Sequence, residues 1–221
     1  GIPSLPLHLV TDDLTLEEPG PFIIKPRFGG SSIGIEVVED LATAKALVKT
    51  QPLLRSGAVA QRYLSDAVDL NISVRTYPNT TLSAVERPLR PEDGGIYSYA
   101  DKYLTGPEGM ASAPRELPAD LPPNIEGELR TIADQVVQLV MVRSVARIDF
   151  LWNADGLWVN EINTIPGSLS WYFWSHEGVP FARLLTDLIQ EATESPGARF
   201  QTDGADGTAL RDVGAISHKL A

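Results

Sequence analysis

The sequence predicts a fold that mixes β-strands with α-helices. Several short segments are rich in branched and aromatic side chains and end at glycine, proline, asparagine or aspartate, a pattern typical of strands. Two longer segments, 125–140 and 181–192, carry apolar side chains at helical spacing. With 221 residues, of which 43% are hydrophobic, the chain is long enough to bury a sizeable core.

The elements can be placed in order along the chain. Residues 1–20 are proline-rich, and we expect them to be irregular. Strands are expected at 22–26, 35–38, 59–64, 70–76, 82–89, 145–152 and 157–163. A helix is expected at 41–49, capped by Asp40, ahead of the two longer helices. Between the strands and these helices lies a long loop, 90–123, and a loop of that length is usually functional or mobile.

The last two predicted strands form a hairpin. Ala154-Asp155-Gly156 is predicted to be a three-residue loop with glycine at its left-handed position. If Asn153 pairs with Leu157, residue 149 lies opposite residue 161. Because side chains alternate between faces along a strand, the polar groups of both strands then share one face. The other face carries Ala146, Ile148, Phe150 and Trp152.

This shared face places charge where a buried strand pair should have none. Its members are Arg147, Asp149, Glu161 and Asn163. Two opposed carboxylates repel unless a cation lies between them, and carboxylate and amide oxygens form a ligand set suited to magnesium. The alternative is a hairpin whose acidic face is simply solvated.

Composition excludes several other kinds of site. The chain has no cysteine, which rules out disulfides, thiolate zinc sites and cysteine nucleophiles, and its three histidines are scattered. A net charge of -11 argues against general nucleic-acid binding, and no apolar run approaches the length of a membrane span. We therefore expect a cytoplasmic protein whose partners are small molecules rather than nucleic acid or membrane.

The segment 25–34 predicts phosphate binding. Lys25 ends a strand, and the glycine-rich loop that follows matches neither a Walker loop nor a dinucleotide-binding turn. Its amides and the hydroxyls of Ser31 and Ser32 can donate to phosphate oxygens while Lys25 supplies a charge. A plain hairpin turn would explain Gly29 and Gly30 alone.

A second cationic segment lies in the long loop. Lys102 is surrounded by aromatic residues in the sequence Tyr-Ala-Asp-Lys-Tyr-Leu at 99–104. A solvated lysine is the ordinary alternative here.

Taken together, four segments resemble the ATP-grasp superfamily, specifically its D-alanine:D-alanine ligase branch. They are the lysine strand and Gly-Gly-Ser-Ser-x-Gly loop at 25–34, the lysine segment at 99–104, Arg-x-Asp-Phe at 147–150 and Asn-Glu-Ile-Asn-Thr-x-Pro-Gly at 160–167. The resemblance covers about residues 1–193. The family also has a preceding domain, and we expect this sequence to lack it.

The resemblance implies an α+β fold, the ATP-grasp fold, whose two lobes each hold a mainly antiparallel sheet with packed helices. Residues 1–66 would form an entry segment and the small lobe with the glycine-rich loop. Residues 67–195 would form the large lobe with the metal site and a mobile loop, and residues 196–221 a tail.

The resemblance also implies ligands for particular residues. Adenine would meet Gln61 and the backbone of Arg62 and Leu64, and Asp69 would hold the ribose. The full set of ATP contacts would be Lys25, Gly29, Gly30, Ser31, Ser32, Gln61, Arg62, Leu64, Asp69 and Lys102. Two magnesium ions, replaceable by manganese, would be carried by Asp149, Glu161 and Asn163.

Catalytic roles follow from the same resemblance. Arg147 and the amide of Gly167 would stabilise an oxyanion, Lys102 would reach the γ-phosphate, and Ser31 and Tyr103 would help to bind and activate the second amino acid. Beyond Gly167 the chain departs from the family, because an aromatic run replaces a small polar segment. The residues expected to meet the substrate there are Ser168, Tyr172 and Phe173. A further departure is Gln61, where glutamate is common.

The implied activity is an ATP- and magnesium-dependent carboxylate–amine ligase that acts through an acyl phosphate. The expected reaction joins two D-alanine molecules for peptidoglycan precursor synthesis in the cell wall. The alternatives are a ligase for another amino acid or peptide, and a nucleotide-binding fragment without activity. A homodimer is compatible with the sequence but is not indicated by it.

Overall fold

Two antiparallel β-sheets organise the chain. The computed structural model describes residues 1–89 and 114–194. The strands are β1 (His8–Leu9), β2 (Phe22–Pro26), β3 (Glu36–Val38), β4 (Ala58–Arg62), β5 (Val68–Arg75), β6 (Thr81–Pro88), β7 (Arg115–Glu116), β8 (Val145–Asn153) and β9 (Gly156–Asn163). The first sheet has the order β1-β4-β2-β3 and the second the order β7-β6-β5-β8-β9. The predicted combination of α-helices with mainly antiparallel sheets is confirmed.

Helices pack against these sheets. They are α1 (Leu41–Thr50), α2 (Pro123–Leu139), α3 (Trp171–His176) and α4 (Phe181–Glu194), with 3-10 turns at Pro52–Leu54 and Gly167–Ser170. The predicted cap of α1 is confirmed, because Asp40 Oδ1 accepts a 2.7 Å hydrogen bond from the amide of Thr43. Within the two described ranges, none of the helices is long and apolar enough to cross a membrane.

Along β2 of the first sheet, successive side chains alternate between the apolar core and a cavity. Phe22 and Ile24 are buried in an apolar cluster with Ala44 of α1. The residues between and after them, Ile23 and Lys25, line a cavity on the opposite face. Strand periodicity therefore places the lysine away from the core.

The second sheet divides its faces in the same way. Its apolar face carries Leu70, Ile72, Ile148 and Phe150, which pack with the buried side of α2. Asn71, Ser73, Arg147 and Asp149 alternate with these residues and so occupy the other face. The burial of the apolar face fixes the register that gathers the polar groups.

The hairpin of β8 and β9 differs from the prediction at its loop. Asn153 pairs with Gly156 rather than Leu157, so the loop has two residues, Ala154 and Asp155. The predicted left-handed conformation of Gly156 is wrong, since its φ is not positive. Glycine is needed there because a Cβ would lie 2.9 Å from the Trp158 ring.

A bulge in the hairpin shifts the pairing of β8 with β9 by one residue, at a point between the loop and the polar residues. The pairing shifts between Asp149 and Phe150, and beyond that point Arg147 pairs with Asn163 and Asp149 with Glu161. These two predicted pairs are confirmed.

Two segments expected to be irregular or unassigned are ordered. β1 lies within the first 20 residues and pairs with β4 through His8 and Ala60. The aromatic run after Gly167 forms α3, in which Tyr172, Phe173 and Trp174 are buried. Both elements are too short for their periodicity to show in the sequence.

Candidate functional site

A cavity of about 240 Å³ lies between the polar faces of the two sheets. It collects most of the residues that the sequence predicted for a site. Those that line it are Lys25, Gly29, Gly30, Ser31, Ser32, Gln61, Arg62, Leu64, Asp69, Arg147, Asp149, Glu161 and Tyr172. Residues separated by more than a hundred positions are therefore brought to one place.

Lys25 is held at one side of the cavity by neutral acceptors. Its Nζ donates to Gln61 Oε1 at 2.8 Å and to Asn160 Oδ1 at 3.1 Å. Gln61 is itself anchored by its Nε2, which donates to the carbonyl of Leu5 at 3.3 Å. Burial lowers the pKa of the Lys25 ammonium, although the charges of Glu161 and Asp69 oppose that shift. These bonds fix the ammonium in position without neutralising it, which suits an anionic ligand.

The glycine–serine loop curls over the same side. Ser31 and Ser32 both have left-handed backbones, with φ of 56° and 59°. Such conformations are uncommon for residues other than glycine, and here they form a turn in which the Ile33 amide donates to the Gly30 carbonyl at 3.1 Å. Gly34, with φ of 75°, closes the loop, and a Cβ there would lie 3.1 Å from the Pro26 ring. The loop is thus shaped by its backbone as well as by its side chains.

The acidic residues of the hairpin converge as their register requires. Asn163 Nδ2 donates to Asp149 Oδ2 at 2.9 Å and to Glu161 Oε1 at 3.2 Å. The three groups are therefore within reach of one small ligand, and rotation of the Asn163 amide would turn its oxygen toward that ligand. No group of three or more His, Cys, Asp or Glu side chains in residues 1–89 and 114–194 is placed for a metal. A magnesium ion would accordingly depend on Asn163, and in donor chemistry the set fits that ion.

Arg147 forms a two-pronged ion pair with Asp149. Its Nε donates to Oδ1 at 2.6 Å and its Nη2 to Oδ2 at 2.7 Å. Burial alone would lower the pKa of Arg147, but the hydrogen bonds and charge of Asp149 raise it on balance. Arg147 therefore stays charged, and its Nη1 is not engaged in this pair.

Some predicted site residues do not line the cavity. Gly167 and Ser168 are among them, and Asn163 contacts Asp149 and Glu161 without lining the cavity itself. Phe173 is fully buried with Val145 in an apolar cluster, so the prediction that it contacts a substrate is contradicted. Adjacent residues of a helix point about 100° apart, which is why Tyr172 reaches the cavity and Phe173 does not. Lys102 and Tyr103 lie outside the described residues.

The cavity lining includes a polar cluster that could not be recognised in the sequence. Glu86 Oε1 accepts from Arg115 Nη1 at 2.7 Å, and Glu86 Oε2 accepts from Asn71 Nδ2 at 3.0 Å. Burial raises the pKa of the Glu86 carboxyl, while Arg115 and Asn71 oppose the rise. The Arg115 guanidinium lies 4.0 Å from the ring centroid of Tyr172. The one available sign was a charged residue inside the apolar run of β6.

Comparison with known proteins points to one family. The family described as D-ala D-ala ligase C-terminus matches residues 11–190. The D-alanine--D-alanine ligase of Thermosipho africanus (strain TCF52B) is 30% identical over 176 residues, which are 79% of this chain and 47% of that protein. The D-alanine--D-alanine ligase of Solibacter usitatus (strain Ellin6076) is 33% identical over 184 residues, 80% of this chain and 54% of that protein. The chain thus spans about half the length of these curated relatives.

Solved structures share the fold. D-alanyl-alanine synthetase A from Vibrio cholerae has a TM-score of 0.68 at 22% identity, covering 86% of this chain and 60% of that one. D-alanine--D-alanine ligase from Bacillus anthracis, solved in complex with ATP, has a TM-score of 0.66 at 17% identity, covering 87% of this chain and 61% of that one. The chain therefore has the ATP-grasp fold of these ligases.

Proposed function

We propose that this chain, which belongs to the D-ala D-ala ligase C-terminal family, binds ATP and magnesium in the cavity between its sheets. It uses them to join a carboxylate to an amine through an acyl phosphate. One observation carries the proposal: the cavity brings a half-buried lysine and the glycine–serine loop opposite a pair of carboxylates. Because the curated relatives are named D-alanine--D-alanine ligase, we propose D-alanine as both substrates and peptidoglycan precursor synthesis as the process.

The nucleotide would lie against the first sheet. Lys25 and the amides and hydroxyls of Gly29, Gly30, Ser31 and Ser32 would meet the phosphates, since a fixed ammonium and a concave loop are complementary to a polyanion. Residues 61–64, at the end of β4 and just beyond it, line the cavity and would pair with adenine through the backbone of Arg62 and Leu64. Asp69, which lines the cavity from β5 of the second sheet, would hold the ribose.

Magnesium would be held by Asp149, Glu161 and Asn163, and we propose two ions. A bound magnesium ion neutralises phosphate oxygens and keeps the attacking and leaving groups in line. This need is strong because a carboxylate that attacks the γ-phosphate approaches a polyanion. Lys25 and, from the segment that is not described, Lys102 would share the neutralisation.

The reaction has two steps. A carboxylate oxygen of the first substrate bonds to the γ-phosphorus, the bond to the β,γ-bridging oxygen breaks, and ADP leaves. The amine of the second substrate, which has first given one proton of its ammonium form to water, then attacks the acyl carbon. The bond between that carbon and the phosphate oxygen breaks, phosphate leaves with its electrons, and a second proton passes from the nitrogen to the departing phosphate. Arg147 would donate to the oxyanion from the nitrogen that Asp149 does not engage, together with the amide of Gly167. Ser31 and Tyr103 would orient the amine.

The same proposal includes an organisation of the chain. Residues 1–66 form the entry segment and small lobe, and residues 67–195 the large lobe, with 196–221 as a tail. Strands β1 to β4 fall in the first range and β5 to β9 in the second, which supports the division. We place the protein in the cytoplasm, where ATP is supplied, and the homodimer stays a prediction.

The test is a product assay with the purified chain. ATP, magnesium and a panel of D-amino acids are supplied, phosphate is measured, and dipeptides are identified by mass spectrometry. We expect phosphate release that depends on both ATP and D-alanine, with one dipeptide formed per phosphate. Turnover with another amino acid but not D-alanine would overturn the substrate, and turnover without any amino acid would overturn the ligase activity.

A nucleotide-binding module without activity is the second candidate. It is favoured by one observation, that both carboxylate oxygens of Asp149 already accept hydrogen bonds from Arg147. Calorimetry separates the two functions. ATP binding that persists without magnesium and survives Asp149→Ala and Glu161→Ala favours the inactive module.

A further inference from the structure

The bulge in β9 turns two consecutive side chains toward the cavity. In a regular strand only every second residue faces one side of the sheet. Glu161 pairs with Asp149 and Val159 with Phe150, so Asn160 is the extra residue between the two pairs. Asn160 and Glu161 nevertheless both line the cavity. Bulges occur preferentially next to active sites, where they redirect a side chain, and Asn160 is the side chain that is redirected here.

The redirected amide contacts a cation of the other sheet. Asn160 Oδ1 accepts a hydrogen bond from Lys25 Nζ at 3.1 Å, and Gln61 Oε1 accepts a second one at 2.8 Å. Lys25 and Gln61 belong to β2 and β4 of the first sheet, whereas Asn160 belongs to β9 of the second. An ammonium has three N–H donors, so two acceptors from different sheets fix the direction of the third.

Segment 3–5 fixes both partners of this ammonium. The carbonyl of Leu5 accepts from Gln61 Nε2 at 3.3 Å. The carbonyl of Pro3 accepts, at 2.9 Å, from the backbone amide of the residue that directly precedes Asn160. One short segment therefore holds the two acceptors in place relative to each other. The ammonium cannot follow one acceptor without leaving the other.

A carboxylate beside Asn160 competes for the same ammonium. Glu161 follows Asn160 in the chain and lines the cavity next to it. Of the two carboxylates that raise the pKa of Lys25, Glu161 has the greater effect. Within residues 1–89 and 114–194, however, the side chains that accept from Lys25 are the two neutral amides. An ion pair with Glu161 would neutralise the charge that phosphates need and would occupy a proposed metal ligand.

We propose that Asn160 is a positioning residue that holds Lys25 away from Glu161, so that the ammonium stays directed at the phosphates and the carboxylate stays open to magnesium. This inference rests on the nucleotide and metal binding proposed above. An amide suits the task because its oxygen accepts from the ammonium without carrying a charge of its own. The family resemblance implied a ligand for Glu161 and none for Asn160.

The first measurement tests whether Asn160 acts through Lys25. Asn160→Leu keeps the size of the side chain and removes its acceptor. We expect it to weaken ATP binding, measured by isothermal titration without magnesium, at least about tenfold. In Lys25→Met the same substitution should change the affinity for ATP by less than about twofold, because the contact that it removes is already absent. Equal losses in the two backgrounds would overturn the inference.

The second measurement tests whether the released lysine pairs with Glu161. The titration of ATP is repeated with magnesium for the unaltered chain, for Asn160→Leu and for the double variant that also carries Lys25→Met. We expect magnesium to tighten ATP binding at least about tenfold in the unaltered chain but less than about threefold in Asn160→Leu. The gain should return in the double variant, which has no ammonium to pair with the carboxylate. A gain that Asn160→Leu leaves intact would overturn the inference while leaving the proposed function in place.

Control variants separate positioning from a general effect on the fold. Asn160→Gln keeps the amide oxygen and should retain the affinity for ATP to within about threefold. Asn124→Leu makes the same exchange at an exposed residue of α2 that does not line the cavity, and it should change nothing. Asn160→Ala repeats the comparison with a side chain too small to strain the bulge.

Adenosine supplies the ligand control because it has no phosphates. Its affinity should be the same for Asn160→Leu, Asn160→Ala and the unaltered chain to within about threefold. Losses of adenosine binding as large as those of ATP binding would show a general effect on the fold and would overturn the inference. Absence of ATP binding by the unaltered chain, by contrast, would overturn the proposed function itself.

Discussion

Glu161 lies directly across the hairpin from Asp149, with both carboxylates facing the cavity. The strands slip by one residue between this pair and the loop, and the bulge near Asn160 absorbs the slip. The bulge also lets Asn160 reach Lys25, with its Oδ1 3.1 Å from Nζ. One irregularity thus joins the acidic pair to the cation of the other sheet.

The two carboxylates should differ in their effect on stability. Asp149→Asn leaves Arg147 buried without its charged partner, which costs about 3–5 kcal/mol of unfolding free energy. Glu161 is exposed, so Glu161→Gln should change that free energy by less than about 0.5 kcal/mol. Urea unfolding of both variants measures the difference. Equal losses would show that the ion pair with Arg147 does not carry the stability.

Phe173 should act through packing. It is fully buried among Val145, Trp174 and Leu184, so Phe173→Ala should lower the unfolding free energy by about 3–5 kcal/mol. Ile189→Ala, at a residue that is 66% exposed, is the control and should change it by less than about 0.5 kcal/mol. Denaturant titration of Phe173→Ala and Ile189→Ala measures both changes in unfolding free energy. If Phe173→Ala kept normal stability but changed the affinity for substrate, that result would support the substrate contact predicted from the sequence.

Two glycines should respond oppositely to alanine. Gly34 has a left-handed backbone, and a Cβ there would press on Pro26 and Leu53, so Gly34→Ala should destabilise by about 1–2 kcal/mol. Gly127 lies within α2 with open space around it, and Gly127→Ala should stabilise by about 0.5–1 kcal/mol. Thermal unfolding of the two variants measures whether each substitution lowers or raises stability. A stabilised Gly34→Ala variant would mean that the loop does not need its left-handed turn.

Lys25 should make stability depend on pH. Burial lowers its pKa below the ordinary value of 10.5, so between the folded value and 10.5 the unfolded chain binds more protons. Stability contributed by this group therefore rises with pH across that window. Relative to Lys25→Met, which has no such titration, the unaltered chain should gain unfolding free energy as pH rises toward 10. A difference that stays constant with pH, or that shrinks, would contradict the lowered pKa.

Much of this site follows from the sequence for a physical reason. Strand alternation dictates that Arg147 and Asp149 share a face, and the burial of Ile148 and Phe150 selects which face that is. The bulge did not follow, because local sequence did not distinguish a two-residue loop from a three-residue loop, and that difference shifts the pairing by one residue. The predicted pairing of Asp149 with Glu161 holds because the slip lies between that pair and the loop.

The part that could not be predicted depends on the order of strands. Glu86 and Asp149 are distant in the sequence and meet only because β5 lies between β6 and β8. Arg115 joins them from β7, a strand of two residues with no periodicity to detect. The burial of Phe173 likewise could not be predicted, because the aromatic run gave no sign of the short helix that it forms. Local pattern therefore reveals the hairpin site, whereas the Glu86 cluster needs tertiary structure.

The central claim is that the acidic pair holds the metal of a nucleotide site. Isothermal titration of ATP into the chain, with and without magnesium and in Glu161→Gln, tests it most directly because that variant should remain folded. We expect magnesium to tighten ATP binding at least about tenfold and Glu161→Gln to abolish most of that gain, with Gln190→Glu on the exposed side of α4 as a control that retains it. ATP binding that is equally strong with and without magnesium, in the unaltered chain as well as in Glu161→Gln, would contradict this role of the acidic pair.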